Sequence, residues 1–320
     1  MKCVMLVTES CNLRCKYCYI SAGESEVPAA STQHIMHMID LLDTTNVKKL
    51  TVGGGEPLLR RDIFDILDKG AARMPTHLLT NGTLVNEKTA QKLALSGVDG
   101  VSISLDSSTP KIHDELRDKS FNAVINGIKL CAKERLNVDI AACVTTKNFG
   151  YAMNLIRFAE NIGATSITFE GLNPVGRAKD CANLALTPKQ TDTFLQTIYE
   201  ILHDIKPNIK IIMFYPQWVR WDGNMPGCEV GKNIFGLLPN GDIRPCTNLP
   251  ITIGNILNDD FSAIWNCELM NDLRTKRNGG CNTCQYREQC GGCRSKAYAT
   301  GDIFGSDPSC SLAQKELEVR

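Results

Sequence analysis

The chain has 320 residues, 43% of them hydrophobic, which is long enough for a sizeable core and for more than one domain. Its 35 Lys and Arg residues balance its 35 Asp and Glu residues, which excludes a general electrostatic attraction to nucleic acid or to an anionic membrane. No apolar run is long enough to cross a bilayer, and the N-terminal MKCVMLVTES lacks the cleavage site of a signal peptide. The sequence therefore predicts a cytoplasmic protein.

From the N-terminus to about residue 208, apolar runs rich in β-branched residues alternate with segments of helical periodicity. Strands are predicted at 3–8, 49–52, 76–80, 101–105, 138–145 and 166–170. Helices are predicted at 32–42, 62–73, 87–95, 123–134, 151–162 and 189–205, with N-caps at Ser31, Asn86 and Asn122. Six strand–helix repeats predict an α/β fold with a parallel sheet, either doubly wound or closed into a partial barrel.

After residue 208 the pattern changes. Residues 209–215 predict one more strand, and the segments that follow are dense in Cys and Gly. A segment so poor in apolar residues needs bound metal to hold a fold. We therefore predict a core domain at 1–208, a bridging segment at 209–227 and a Cys-rich domain at 228–320.

The cysteine content is unusual, since the chain has 15 Cys and only 5 His. In a reducing cytosol, thiols in such numbers are metal ligands or buried residues more often than disulfides. No histidine lies within a cysteine cluster, which favours all-thiolate sites that bind zinc or iron–sulfur clusters.

Cys11, Cys15 and Cys18 follow the first predicted strand with the spacing C-x-x-x-C-x-x-C. Three thiolates on one loop can hold three irons of a [4Fe–4S] cluster and leave the fourth iron open for catalysis. The alternative is a structural zinc site, which needs a fourth ligand. Cys3 is a poor candidate for that ligand because it lies within the strand.

The loop also has an aromatic residue, Tyr17, before its third cysteine, and it resembles the cluster loop of the radical S-adenosylmethionine (SAM) superfamily. The family's other motifs follow in order at strand ends: GGGEP at 53–57, TNG at 80–82 and SISLDS at 102–107. The resemblance implies a partial (β/α)6 TIM-like barrel with its site at the carboxyl ends of the strands. It also implies a set of SAM contacts: Tyr17, Gly54, Gly55, Glu56, Asn81, Ser104 and Asp106.

The same resemblance implies the chemistry. Cys11, Cys15 and Cys18 would hold the catalytic cluster, and SAM would bind its open iron. One electron, from a flavodoxin- or ferredoxin-type partner, would cleave SAM to a 5′-deoxyadenosyl radical that abstracts hydrogen from the substrate.

A second set of seven cysteines lies in the C-terminal part, and its two C-x-x-C pairs are too close together for a single zinc ribbon. Together with the surrounding motifs PNGDIRPC, GGCRSKAYATGD and DPSC, these cysteines resemble the SPASM domain, which carries two auxiliary [4Fe–4S] clusters. The resemblance implies one cluster on Cys281, Cys284, Cys290 and Cys310 and another on Cys228, Cys246 and Cys293. Ile234 stands where members with a full ligand set have a further cysteine, which leaves an open iron or a non-cysteine ligand.

Other candidate residues carry weaker signals. Cys131, Cys143, Cys181 and Cys267 match no ligand spacing, and we expect Cys131 and Cys143 to be core residues. His34 and His37 have no nearby carboxylate or thiolate and are expected on the surface or in packing. Arg177 follows the sixth strand, where it would meet a carboxylate of SAM or substrate, or stay solvated.

The resemblance implies a ribosomally made peptide as substrate, modified by crosslinking, epimerisation or oxidation. Because the sequence begins at the barrel, we expect any leader peptide to be recognised by a separate protein. Thr247 replaces the carboxylate base of the sulfatase-maturating branch, which counts against formylglycine formation. The tail GGCRSKAYATGDIFGSDPSC also resembles haem-pathway enzymes, so modification of tetrapyrrole side chains is the alternative. The alternative from a different functional class is a non-catalytic protein, either an electron carrier or a zinc-binding module.

Overall fold

One sheet runs through the chain, of which the computed structural model describes residues 1–24 and 30–315. The predicted domains 1–208 and 228–320 include residues 25–29 and 316–320, which lie outside the described residues. The strands are β1 Lys2–Leu6, β2 Lys49–Gly53, β3 Thr76–Thr80, β4 Gly100–Ser104, β5 Val138–Val144, β6 Ser166–Gly171, β7 Lys210–Phe214, β8 Ile234–Leu237, β9 Asp242–Arg244 and β10 Gly254–Asn255. Their order in the sheet is β10-β9-β8-β1-β2-β3-β4-β5-β6-β7.

Helices connect the parallel strands and continue into the C-terminal part. They are α1 Thr32–Asp43, α2 Ile63–Ala71, α3 Glu87–Leu95, α4 Pro110–Arg117, α5 Phe121–Lys133, α6 Ala152–Asn161, α7 Pro188–Glu200, α8 Phe261–Trp265, α9 Glu268–Thr275, α10 Gly280–Thr283, α11 Arg287–Cys290, α12 Arg294–Ala299 and α13 Ser311–Lys315. A π-helical turn, Ile201–Ile205, extends α7. Within the described ranges, no helix has the length and apolar character needed to cross a bilayer.

The two faces of the sheet differ because side chains alternate along each strand. On the outer face, residues such as Leu50 and Ile103 join the helices in one large apolar core. The inner face carries a polar network in which Asp139 accepts hydrogen bonds from Ser102 at 2.8 Å, Ser166 at 2.7 Å and Thr168 at 3.0 Å. An inner face of this polarity leaves room for a polar site at the strand ends.

The predicted α/β class is confirmed, and the sheet is the partial barrel rather than the doubly wound alternative. Its strands β1 to β6 are parallel and each is followed by a helix. The N-caps Ser31 and Asn86 are confirmed, since their side chains accept from backbone N–H groups at the starts of α1 and α3. The cap at Asn122 was wrong: α5 begins at Phe121, and Ser120 precedes it.

Helix α4 and all elements after residue 227, which are β8 to β10 and α8 to α13, were not predicted. Helix α4 is an extra helix between β4 and α5, in the charged stretch PKIHDELR. Strand β8 is only four residues long and pairs in parallel with β1, more than 200 residues earlier in the chain. This pairing makes the Cys-rich part a continuation of the barrel sheet, next to the strand that leads to Cys11.

Candidate active site

Cys11, Cys15 and Cys18 lie in the loop that follows β1, and all three are free, half-buried thiols. Burial is the main cause that raises the pKa of Cys15 to about 11, with Arg117 opposing and Asp106, Cys18 and Cys11 adding to the shift. Backbone N–H groups point at two of the sulfurs, from Leu13 to Cys11 at 3.4 Å and from Ala22 to Cys18 at 3.3 Å. Three neighbouring thiols with N–H donors form a donor set that fits an iron–sulfur cluster.

The Gly-rich loop after β2 lies against the segment that leads into the cysteine loop. Gly55 N donates to Thr8 O at 2.8 Å, and Glu56 N donates to Ser10 O at 2.8 Å. Gly54 has a φ of +142°, and a Cβ added there would overlap the Thr8 carbonyl oxygen. The close approach that requires glycine is therefore one between two backbone segments of the chain itself.

Glu56 is fully buried, and its carboxylate accepts three hydrogen bonds within the chain. Its Oε1 accepts from Leu58 N at 3.0 Å and Thr80 Oγ1 at 2.7 Å, and its Oε2 accepts from Asn81 N at 2.7 Å. Burial raises the pKa of Glu56, and the three donors oppose this shift. The side chain joins the loops after β2 and β3 and so positions them.

Asn81 follows β3, and Ser104 is the last residue of β4. The Asn81 Nδ2 donates to Asn12 Oδ1 at 2.9 Å and lies 3.9 Å from Cys11 Sγ. Ser104 is half-buried at the end of β4, on the same inner face as Ser102. Asn81 Oδ1 accepts from Thr83 N at 3.0 Å and from Thr83 Oγ1 at 2.7 Å, so its contact with SAM, like that of Ser104, stays a prediction.

Asp106 is buried beneath the cysteine loop and is bound to several elements at once. Its Oδ2 accepts from the Tyr17 hydroxyl and from Arg117 Nε at 2.8 Å, and its Oδ1 accepts from Cys143 N at 2.9 Å. The Arg117 guanidinium also lies 5.2 Å from the centre of the Tyr17 ring. Tyr17 and Asp106 thus fix the cysteine loop to the ends of β4 and β5.

Arg177 has a different environment from those expected. Its Nε donates to Cys15 O at 3.1 Å, and its Nη1 donates to Ala22 O at 3.0 Å and pairs with Glu24. Its backbone N donates to Cys18 O at 3.0 Å. The guanidinium therefore holds the cysteine loop in place instead of facing a ligand or open solvent.

Two residues that the sequence analysis did not single out join the two cysteine regions. The side chain of Tyr19, next to Cys18, lies close to that of Thr247, next to Cys246. Glu170 is the last residue of β6 on the inner face of the sheet. Its side chain is exposed to solvent, but the surrounding protein atoms still raise the pKa of its carboxyl group. Burial raises the pKa values of Tyr19 and Cys246, and the Glu170 carboxylate adds to both shifts. The sequence signal that could have identified Glu170 as a site residue is its position as an acidic residue at the carboxyl end of a barrel strand.

The C-terminal cysteines fall into two neighbourhoods. Cys281 and Cys310 share a small buried cluster, and both raise the pKa of Cys290, whose main shift comes from burial. Cys284 caps α10 beside them. Burial raises the pKa of Cys246 to about 11 and of Cys293 to about 12, and Cys228 adds to both. Ligation by these seven residues stays a prediction.

The surroundings of these thiols bear on the kind of metal site. Ile234 packs with Cys228 and Cys246 against an apolar cluster at the start of β8. In residues 1–24 and 30–315, no three His, Cys, Asp or Glu side chains converge as ligands of a single metal ion do. Thiolates of a four-iron cluster each bind a different iron, so an all-thiolate set of this kind still fits such clusters. Cys131 and Cys143 are buried, as expected.

Comparisons with known proteins identify the family of the chain. The model of the radical SAM superfamily matches residues 5–159, and that of the iron–sulfur cluster-binding SPASM domain matches residues 228–294. An AdoMet-dependent heme synthase of Methanosarcina barkeri is 30% identical over 332 residues, covering 95% of this chain and 94% of that protein. The mycofactocin maturase MftC of Mycobacterium ulcerans is 29% identical over 321 residues, covering 95% and 86%.

Solved structures share the fold. Streptococcus suis SuiB bound to S-adenosylmethionine has a TM-score of 0.80 at 18% identity, covering 98% of this chain and 77% of that one. SuiB bound to the precursor peptide SuiA has a TM-score of 0.79 at 17% identity, covering 98% and 75%. At these identities the likeness is one of fold.

Proposed function

Because this chain belongs to the radical SAM superfamily and carries a C-terminal SPASM domain, we propose that it modifies a ribosomally made peptide. The radical SAM domain binds SAM and a [4Fe–4S] cluster, and the SPASM domain binds auxiliary iron–sulfur clusters. When bound, these groups supply an electron and a 5′-deoxyadenosyl radical that abstracts hydrogen. The reaction would be a crosslink, an epimerisation or an oxidation.

The observation that carries the proposal is the proximity of the Tyr19 and Thr247 side chains. It brings the residue after Cys18 next to the residue after Cys246. A peptide segment bound there lies between the two cysteine regions, beside the Glu170 carboxylate. The maturase MftC and SuiB with its precursor peptide support the peptide as substrate class.

We assign the roles of the site residues as follows. Cys11, Cys15 and Cys18 hold the catalytic cluster, and the other seven predicted cysteines hold the auxiliary clusters. Gly54, Gly55, Asn81 and Ser104 line the SAM site with backbone and side-chain groups. Tyr17, Glu56 and Asp106 act as positioning residues, because their polar atoms bind other parts of the chain.

The remaining predicted features belong to the same proposal. A flavodoxin- or ferredoxin-type protein supplies the electron, and a separate protein recognises the leader of the precursor. Residues 1–208 form the catalytic core, 209–227 bridge, and 228–320 form the auxiliary cluster domain. The protein acts in the cytoplasm, where thiols stay reduced.

The proposal is tested with anaerobically reconstituted protein, dithionite, SAM and a candidate precursor peptide. We expect 5′-deoxyadenosine together with a mass change in the peptide. Cys15→Ala should abolish both products, while Cys267→Ala, outside all three predicted ligand sets, should retain them. Near-stoichiometric zinc without iron, or iron without 5′-deoxyadenosine, would instead support the non-catalytic alternative.

Tetrapyrrole modification is the second candidate, and the 30% identity to the heme synthase of Methanosarcina barkeri favours it. Iron-coproporphyrin is the probe for this reaction. A loss of mass corresponding to decarboxylation, with no change in any precursor peptide, would replace the peptide proposal by this one.

A further inference from the structure

A cavity of about 400 Å³ lies beside the barrel opening, between the segment after β6 and the C-terminal part of the chain. We call it the lysine groove. One side is formed by Leu172, Pro174 and Lys179, and the other by Lys296, Thr300 and Ser309. Its size is within the range of ligand pockets, and most of its walls are hydrocarbon.

Lys296 is the unusual residue of the groove, because only 8% of its surface is exposed. Its ammonium donates to Ser309 Oγ at 3.1 Å and lies 5.3 Å from the centre of the Tyr215 ring. Among the described residues, it makes no ion pair with a carboxylate. A buried ammonium has three N–H donors and is costly unless paired, so this side chain has donors left for an anion.

The nearest acid does not neutralise Lys296 by direct contact. Ser309 Oγ donates to Asp307 Oδ1 at 2.7 Å, so a hydroxyl stands between the ammonium and this carboxylate. The other oxygen of Asp307 accepts from Gln217 Nε2 at 2.8 Å and from Cys293 N at 2.7 Å. Asp307 therefore binds the backbone of the cysteine region. Lys296, whose charge also acts on Cys293 and lowers the pKa of that thiol, lines the groove with no carboxylate in direct contact among the described residues.

The groove is adjacent to the proposed reaction site. Gly171 ends β6 next to Glu170, and a Cβ on Gly171 would lie 2.7 Å from Lys296 Nζ and 3.1 Å from the Tyr215 ring. The Lys296 ammonium thus touches the end of β6 from the groove side. On the inner face of the same strand end, Glu170 faces the barrel. A ligand in the groove therefore lies next to Gly171, the neighbour in sequence of Glu170.

We propose that the lysine groove binds a carboxylate of the substrate. Lys296 is the buried contact, and the exposed Lys179 supplies a second positive charge at the rim. The occupant is an acidic side chain or the carboxyl terminus of the peptide substrate, whose apolar neighbours pack on Leu172 and Pro174. This inference rests on the proposed function, and a tetrapyrrole propionate would offer the same chemical group.

Binding to the reconstituted holoenzyme tests the groove without requiring turnover. The probes are a fluorescein-labelled peptide, Leu-Ala-Leu-Glu-Glu, and its neutral counterpart, Leu-Ala-Leu-Gln-Gln amide. We expect the acidic peptide to bind at least tenfold more tightly than the neutral one. Lys296→Met and Lys179→Gln should each reduce that preference at least fivefold, and Lys296→Arg should retain most of it. Lys129→Gln, an exposed lysine on α5, is the matched control and should change nothing.

Equal affinity for the two peptides, or an unchanged preference in both lysine variants, would overturn the inference. So would a changed electron paramagnetic resonance spectrum of the auxiliary clusters in Lys296→Met with no change in preference, since Lys296 would then serve Cys293 alone. Iron-coproporphyrin and its methyl ester form a second pair of probes. A preference for the free acid that depends on Lys296, with none for the acidic peptide, would overturn the peptide as occupant. Failure of the proposed function is seen separately, as wild-type protein that binds the probes but modifies neither substrate.

Discussion

The hydroxyl of Tyr17 donates a hydrogen bond to the buried carboxylate of Asp106, 89 residues later in the chain. This contact fixes the middle of the cysteine loop to the end of β4. Since Arg117 and the Cys143 backbone N–H bind the same carboxylate, the loop, α4 and β5 share one anchor. Tyr17 and Asp106, which the sequence suggested as SAM contacts, thus bind each other and hold the cysteine loop in position.

Tyr17→Phe removes one of the three donors to Asp106. Hydrogen bonds to buried charges contribute about 1.5–3 kcal/mol, so we expect the free energy of unfolding to fall by that amount in urea titration. We also expect a lower iron content per chain, because the loop between Cys15 and Cys18 loses its anchor. Tyr151→Phe, at an exposed tyrosine, is the control. Equal stability and iron content in the two variants would show that the anchor is dispensable.

Glu56→Gln replaces a carboxylate that accepts three hydrogen bonds by an amide with one acceptor oxygen. The amide NH2 must then face a donor, either Asn81 N or the Thr80–Leu58 pair. We expect a loss of about 1–3 kcal/mol in unfolding free energy and slower formation of 5′-deoxyadenosine. Glu87→Gln, an exposed change at the start of α3, should leave both unchanged. A stable variant with a raised KM for SAM alone would show that Glu56 contacts SAM instead.

Gly54→Ala tests whether the glycines serve the chain or only a ligand. The added Cβ would overlap the Thr8 carbonyl oxygen, at a φ of +142° that L-residues rarely adopt. We expect the protein without SAM to lose about 1–3 kcal/mol of unfolding free energy, as in other overpacked sites. Gly150→Ala is the matched control, because nothing lies within 4 Å of its Cβ position. If Gly54→Ala weakens SAM binding without destabilising the chain, the glycine is there for the ligand.

The strands of the barrel could be predicted from the sequence, whereas the contacts that shape the site could not. Periodicity located β1 to β6 because each strand is a local pattern with turn residues at its ends. The same signal cannot show that Glu56 binds Thr80 and Asn81, or that Asp106 binds Tyr17, because those contacts join segments far apart in sequence. Strand β8 was hidden for the same reason, since its partner β1 is at the other end of the chain. Predicting Glu170 as a site residue would have required knowing which face of β6 points into the barrel.

A further prediction concerns pH, through His113 beneath the cysteine loop. Its Nδ1 accepts from Asp106 N at 3.3 Å, and its Nε2 donates to Ser120 Oγ at 2.9 Å, because the Ser120 hydroxyl donates to Arg117 O. Both ring nitrogens are thus used in the neutral form. Burial lowers the pKa of His113 from 6.5 to about 4, with Asp106 opposing and Arg117 adding to the shift.

The unfolded chain binds this proton more readily than the folded chain does. Stability from His113 is therefore complete above pH 6.5 and decreases as the pH falls towards 4, by about 3 kcal/mol in all and about 1 kcal/mol at pH 5.5. His77, with its pKa also lowered to about 4 by burial, acts in the same direction. We expect His113→Gln to flatten the dependence of unfolding free energy on pH between 7.5 and 5.5. Parallel curves for the variant and the wild type would contradict this.

Glu170→Gln addresses the carboxylate between the two cysteine regions. Its side chain reaches solvent in the barrel and is bound by no described donor, so we expect the unfolding free energy to change by less than about 0.5 kcal/mol. Cluster content and 5′-deoxyadenosine formation without substrate should also persist, because Cys11, Cys15 and Cys18 keep their contacts. Product formation should fall at least tenfold, since the charge that meets the substrate beside Tyr19 is gone. Glu268→Gln, an exposed change at the start of α9, is the control. If the variant instead loses cluster or SAM cleavage, Glu170 supports the cofactor site and not the substrate.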